Sequence, residues 1–168
     1  QLMPDGHWNN ERVILFTEYR ATQKWLLEKL VFSGLGGQGR ISMMYGGMPS
    51  DDREAVKNAF QASPHAAHVR ILLATDAASE GIDLQNHCNC LIHLEIPYNP
   101  NVMEQRNGRL DRHGQERDVH IFHFDSTDDA SMRFLGKVLQ KRSRTREDRV
   151  VTDEIFAEAI LAHFDEEE

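Results

Sequence analysis

Val13-Ile14-Leu15-Phe16 is an unbroken apolar run, the pattern of a strand buried on both of its faces. Further strands are expected at Ile41–Tyr45, Val69–Ala74 and Cys90–Leu94, and a fifth, Val119–Phe124, alternates in the manner of a half-exposed strand. Helices are expected between them. One runs from Arg20 to Phe32, with Ala21, Trp25, Leu26, Leu30 and Val31 near helical spacing. A second, to about Gln61, has Ser50 as its N-cap, and Asp51, Asp52 and Glu54 near its positive end. A third spans Val102 to Arg112. Two more close the chain, from Thr127 to Gln140 and after a cap at Thr152. The order β-α-β-α-β-β-α-β-α specifies an α/β fold with a mostly parallel sheet covered by helices. Such sheets bind ligands beyond the carboxyl ends of their strands, so the loops that follow strands are where function is sought.

A length of 168 residues suits one domain with a proper core. The 27 acidic against 19 basic side chains, a net charge of −8, argue against a domain that holds nucleic acid by bulk electrostatics, while leaving room for a local basic surface. Cys88 and Cys90, one residue apart, build no disulfide framework and suit a reducing, intracellular setting. There is no signal peptide and no apolar run of membrane-spanning length. The chain opens on Gln1 and reads as a fragment of something longer.

Gly34-Leu35-Gly36-Gly37-Gln38-Gly39 has the letters of a phosphate-binding glycine loop but the wrong setting. It leaves a helix and enters a strand, and Arg40 and Ile41 stand where a Walker A loop has Lys and Ser or Thr. His87, Cys88, Cys90 and His93 lack zinc-finger spacing and alternate along a strand, so no metal site is expected. The seven basic residues from Arg133 to Arg149 suit either a solvated face or a phosphate contact. Asp165–Glu168 read as a solvated acidic end. More informative is Gln105-Arg106-Asn107-Gly108-Arg109-Leu110-Asp111-Arg112-His113-Gly114-Gln115. On a helix, Arg109 and Arg112 would share one face, and two permanently charged planar forks held together can clamp a phosphate. The loops after the strands add Thr17-Glu18-Tyr19, Tyr45-Gly46-Gly47-Met48, Ala74 to Leu84 and Ile96 to Pro100. Their hydroxyls, backbone donors at glycines and one well-placed carboxylate suit phosphates and a ribose better than an apolar ligand.

In this order and spacing the segments resemble the second RecA-like domain of superfamily-two helicases, in particular the Swi/Snf-type DNA translocases. Val13–Thr17 resembles motif IV, Tyr45–Met48 the G-G-containing motif, Ala74–Gln85 motif V and Gln105–Gln115 motif VI. Pro97 to Gln115 is most similar to the bacterial branch that includes the RNA-polymerase-associated translocases. The resemblance implies a three-layer RecA-like fold, with a lead-in at residues 1–11, a core at 12–125, and 126–168 as helices packing on or extending it.

It also implies roles. Arg109 and Arg112 would reach the γ-phosphate of ATP across an interdomain cleft, with Gln105 coupling nucleotide to the interface. Gly81, Asp83 and Gly108 would lie at the nucleotide, Asp83 at the ribose hydroxyls. Thr17, Gly46, Gly47 and Thr75 would contact the nucleic-acid backbone. Partners would be an amino-terminal RecA-like domain of the same protein that holds ATP and Mg²⁺, double-stranded DNA, and a complex such as RNA polymerase. The setting would be the cytoplasm of a bacterium, with no membrane. The chain contains no G-x-x-x-x-G-K-[ST] and no internal D-E-x-[DH] after a strand, so by itself it is expected to be inactive. His113 departs from the Ile common in the family. An ATP-independent binding module and the matching half of an RNA helicase remain the alternatives.

Overall fold

The computed structural model describes residues 2–79, 82–97 and 99–124, the side chains of residues 78, 79 and 100 excepted. The two closing helices, the basic stretch from Arg133 to Arg149, the acidic end and Gly81 lie outside the described residues. Among the described residues five strands form one sheet: β1 (Val13–Thr17), β2 (Ile41–Met44), β3 (Ile71–Thr75), β4 (Cys90–His93) and β5 (His120–His123), in the order β2-β3-β1-β4-β5. Every pairing is parallel, and Thr17 is the register partner of Thr75, so β1 and β3 end side by side.

Helix α1 (Arg20–Phe32) carries the chain from the central β1 to the edge strand β2, and α2 (Ser50–Gln61) brings it back to β3. Because parallel crossovers are right-handed, reversing direction along the sheet sends the two helices to opposite faces. The core divides accordingly. Ile14, Phe16, Leu72, Ala74 and Leu91 pack with Phe60 of α2 on one face. Val13, Ile71 and Leu73 pack with Leu26, Leu27 and Leu30 of α1 on the other. β3 is buried at all five positions, as an interior parallel strand must be. β5 closes the edge with Phe122 and Phe124 exposed.

Arg12 ties the layers together from beneath. It is fully buried and donates to the carbonyls of Phe60 (2.5 Å), Ala62 (2.6 Å) and Val69 (3.1 Å), which favours a cation at the carboxyl end of α2. Burial and the neighbouring Arg70 lower its pKa to about 10, so it stays charged at neutral pH.

Several boundaries differ from expectation. Pro49, not Ser50, occupies the N-cap of α2, and no side chain caps that end. On α1 the side chains of Trp25 and Val31 are exposed, and Gln23 turns inward, donating to the carbonyls of Met44 (3.0 Å) and Leu73 (2.7 Å). The Gln23 amide thereby serves two buried strand carbonyls, one at the end of β2 and one in the middle of β3, groups that must find a donor when buried. A short helix, α3 (Asp76–Ser79), follows β3 where a loop was expected.

The third expected helix is the main correction. α4 spans Pro100–Asn107, with Asn99 at its N-cap and Gly108 at its C-cap, so Arg109 and Arg112 lie beyond it in turns. The carbonyl of Arg109 accepts the N–H of Leu84 (3.1 Å), and Leu110 is buried in the core, contacts that divert the backbone from a helical path.

Candidate nucleotide and nucleic-acid site

The functional residues gather at the carboxyl ends of the strands, in two groups. The first surrounds β3 and β2. Tyr45-Gly46-Gly47-Met48 forms an exposed turn closed by Met48 N–H to the Tyr45 carbonyl (3.2 Å). Gly47 sits at φ +80°, where a side chain is strained, and a Cβ on Gly46 would stand 3.1 Å from the Cβ of Ala77. Beneath the turn, the Gly46 N–H donates to Oγ1 of Thr75 at 3.3 Å. Thr75 and Thr17 are only 6% and 1% exposed. The Thr17 hydroxyl donates to the Glu95 carboxylate at 2.5 Å, and the other oxygen of that carboxylate takes the Glu18 N–H at 3.2 Å. Of the four positions expected at nucleic acid, Gly46 and Gly47 therefore form the surface, Thr75 holds that turn from below, and Thr17 is buried beside it, bonded to Glu95.

The second group surrounds the turn after α4. Arg109 donates through Nε to the Gln105 carbonyl (3.2 Å) and through Nη1 to the Ile82 carbonyl (3.4 Å). Arg112 pairs with the carboxylate of Asp83. Though not on a helix, both guanidinium groups thus converge on residues 82–83. The segment is anchored on the other side by Gln61, whose amide donates to the Asp83 carbonyl. The side chains of Arg112 and Asp83 are 43% and 48% exposed, so their pair is worth about 1 kcal/mol or less and yields readily to a better ligand. Gly108 is closely packed: a Cβ there would lie 3.2 Å from the Glu104 carbonyl. Gln105 is exposed. Gln115 reaches back to the carbonyls of Cys88 (3.0 Å) and Leu110 (3.3 Å) and holds the end of the segment to the sheet.

Between the groups lies a buried network that sequence reasoning missed. Arg106, 2% exposed, donates to Asp76 through Nε (2.6 Å) and Nη2 (2.8 Å), and through Nη1 to the Glu95 carbonyl (3.2 Å). Nη1 also faces Nδ1 of His93 at 3.3 Å, while Nε2 of His93 meets Oδ1 of Asn107 at 2.9 Å. An arginine offers only protons, so Nδ1 is the acceptor and Nε2 carries the hydrogen. Burial first, and then the Arg106 charge, drive the imidazole down to about 4 against the pull of Asn107, so His93 is neutral. The only local signal was that Arg106 stands three residues after the apolar Met103, on the same buried face of α4.

The donor set around Arg109 and Arg112 is cationic and suits phosphate oxygens. Among the described residues no group of three or more His, Cys, Asp or Glu side chains could hold a metal. Cys88 and Cys90 pack into different clusters. No helix among them is long and apolar enough to cross a membrane.

An all-parallel α/β sheet whose carboxyl rim pairs a double-glycine turn with an arginine turn has the organisation of a helicase motor domain. The profile of the helicase conserved C-terminal domain matches residues 2–114, and the chain belongs to that family. Its relatives are of Swi/Snf type. It is 40% identical over 116 residues to the ATP-dependent helicase YqhH of Bacillus subtilis, covering 67% of this chain and 18% of that protein. It is 35% identical over 123 residues to the RNA polymerase-associated protein RapA of Photobacterium profundum, covering 72% and 12%. With the SNF2 domain-containing protein CLASSY 4 of Arabidopsis thaliana it shares 32% over 114 residues, 67% and 10% of the two chains. The chain thus spans less than a fifth of the length of these relatives. Among solved structures, the C-terminal part of the Fun30 ATPase domain has a TM-score of 0.60 at 21% identity, over 93% of this chain and 48% of that one. The yeast DEAD-box splicing factor Prp28 has a TM-score of 0.61 at 19% identity, over 86% and 30%. These two likenesses are of fold.

Proposed function

We propose that this chain is the second motor domain of an ATP-dependent DNA translocase, supplying Arg109 and Arg112 to an ATP held mainly by an amino-terminal RecA-like domain together with Mg²⁺. The observation that supports it most is the convergence of both guanidinium groups on residues 82–83, with Arg112 held only by a half-exposed carboxylate. When the partner domain presents ATP, the γ-phosphate replaces Asp83 as the partner of Arg112, and Asp83 is released toward the ribose hydroxyls. Two cations at the transferring phosphoryl group stabilise the charge that develops in the transition state. Gly81 and Gly108 are assigned to the nucleotide, and Gln105 to the interface with the partner domain. The Gly46-Gly47 turn takes the DNA backbone, with Thr75 fixing it from beneath and Thr17 ordering the neighbouring end of β1. Contacts of this kind read phosphates and not bases, which suits movement along any sequence. The names of the RapA relatives make RNA polymerase a fitting complex for the parent protein.

The chain contains no phosphate-binding loop of its own, so the isolated 168-residue protein is expected to show no ATP turnover above background, with or without double-stranded DNA. Robust DNA-stimulated turnover from this chain alone would overturn the two-domain reading.

A further inference from the structure

The two groups of the rim meet at one residue that neither uses directly. From the double-glycine turn, the path runs through the Gly46 N–H to Oγ1 of Thr75, and along the chain to Asp76. The two Asp76 oxygens then take both prongs of Arg106. A second path starts at the tip of β1, where the Thr17 hydroxyl holds the Glu95 carboxylate, and the Glu95 carbonyl accepts from Arg106. On the far side, the main-chain carbonyl of Arg106 accepts the N–H of Arg109 at 3.0 Å, so the arginine turn hangs from the same residue.

A guanidinium with 1% side-chain exposure is costly to bury, and replacing such a pair by packed apolar groups is often neutral for stability. What an apolar replacement cannot do is fix angle and distance at once, which a planar fork on a carboxylate does. His93 reinforces this: neutral, it accepts from Arg106 on one side and donates to Asn107 on the other, holding the end of α4 in register with β4.

We infer that Arg106 is a positioning residue that couples the nucleic-acid surface to the arginine turn, so that occupancy of the Gly46-Gly47 turn sets the placement of Arg109 and Arg112. The inference rests on the function proposed above and assigns the coupling to the Asp76–Arg106 pair.

The test is ATP turnover by the full-length parent protein, with and without saturating double-stranded DNA. The variants are Asp76→Asn, Arg106→Gln and the double variant, in which an uncharged pair replaces the charged one. Stimulation by DNA should fall roughly five- to tenfold in each, within the range that residues coupling two sites command, with basal turnover and the basal KM for ATP within about twofold of wild type. The double variant should be no worse than the poorer single one, since one link is broken only once. Arg106→Lys, which keeps the charge but loses the fork, should fail to restore stimulation. Should Arg106→Gln not fold, Asp76→Asn decides. Unchanged stimulation in the folded double variant, or basal and stimulated turnover falling in parallel, would overturn the inference. Arg109→Ala in the same assay isolates the underlying reading: if it retains basal turnover the finger assignment fails, whatever Arg106 does. A wild-type enzyme that DNA does not stimulate overturns both.

Discussion

At the tip of β3, the hydroxyl of Thr75 accepts the N–H of Gly46 and so holds the glycine turn to the sheet. Thr75→Ala removes that acceptor and leaves a methyl in a buried place, so the turn loosens while the arginine turn is untouched. In the parent protein we expect DNA-stimulated turnover to fall about three- to tenfold, with basal turnover within about twofold, as loss of one hydrogen bond worth about 1 kcal/mol would give. Equal loss of both would assign Thr75 to the chemistry instead. Single residues are unevenly legible in the sequence. Arg109 and Arg112 announce themselves as two arginines three residues apart, and Asp83 as a carboxylate in a post-strand loop. Arg106 does not, because one charge among several in a helical segment looks solvated until its distant partner Asp76 is seen to face it.

Among the elements, β1 and β3 are plain in the sequence because burial on both faces keeps their apolar runs almost unbroken, while β5 shows only by its alternation. The helices are less legible. α4 stops at Asn107, since its continuation would cost the contact of Leu84 with the Arg109 carbonyl, a tertiary preference that local spacing does not encode. α3 is a single turn set by the capture of Asp76, again by a distant residue. The junction of β4 and α4 carries a pH dependence. His93 lies at about 4 in the folded chain against an ordinary 6.5, so between those values the unfolded chain binds more protons. The stability it contributes is full above about pH 6.5 and is lost as pH falls toward 4. Denaturant unfolding of this chain and of His93→Gln should therefore diverge in slope across that window. Wild type should lose on the order of 2–3 kcal/mol more than the variant between pH 7 and pH 4.5. Parallel profiles would show that His93 is not held neutral by burial.

At the largest scale, the described residues are organised by strand order. Reversal of direction after β2 puts helices on both faces and brings β1 and β3 to a common end at Thr17 and Thr75. The arginine turn reaches the same rim from the β4 side. The alternation of strands and helices is enough to foresee this architecture. It is not enough to show that the two halves of the rim share a buried junction, because that depends on which side chains the crossovers bring face to face. The proposed site is also incomplete by design: cations and a carboxylate suited to a ribose are present, and a phosphate loop is not. Its central claim is that Arg109 and Arg112 act on ATP held by another domain. Turnover and equilibrium ATP binding measured on the parent protein carrying Arg112→Ala, and separately Arg109→Ala, test that claim directly. Turnover should fall by ~10³ or more, as for arginine fingers elsewhere, while the Kd for ATP changes by no more than about tenfold. Turnover within a few-fold of wild type in both variants would contradict it.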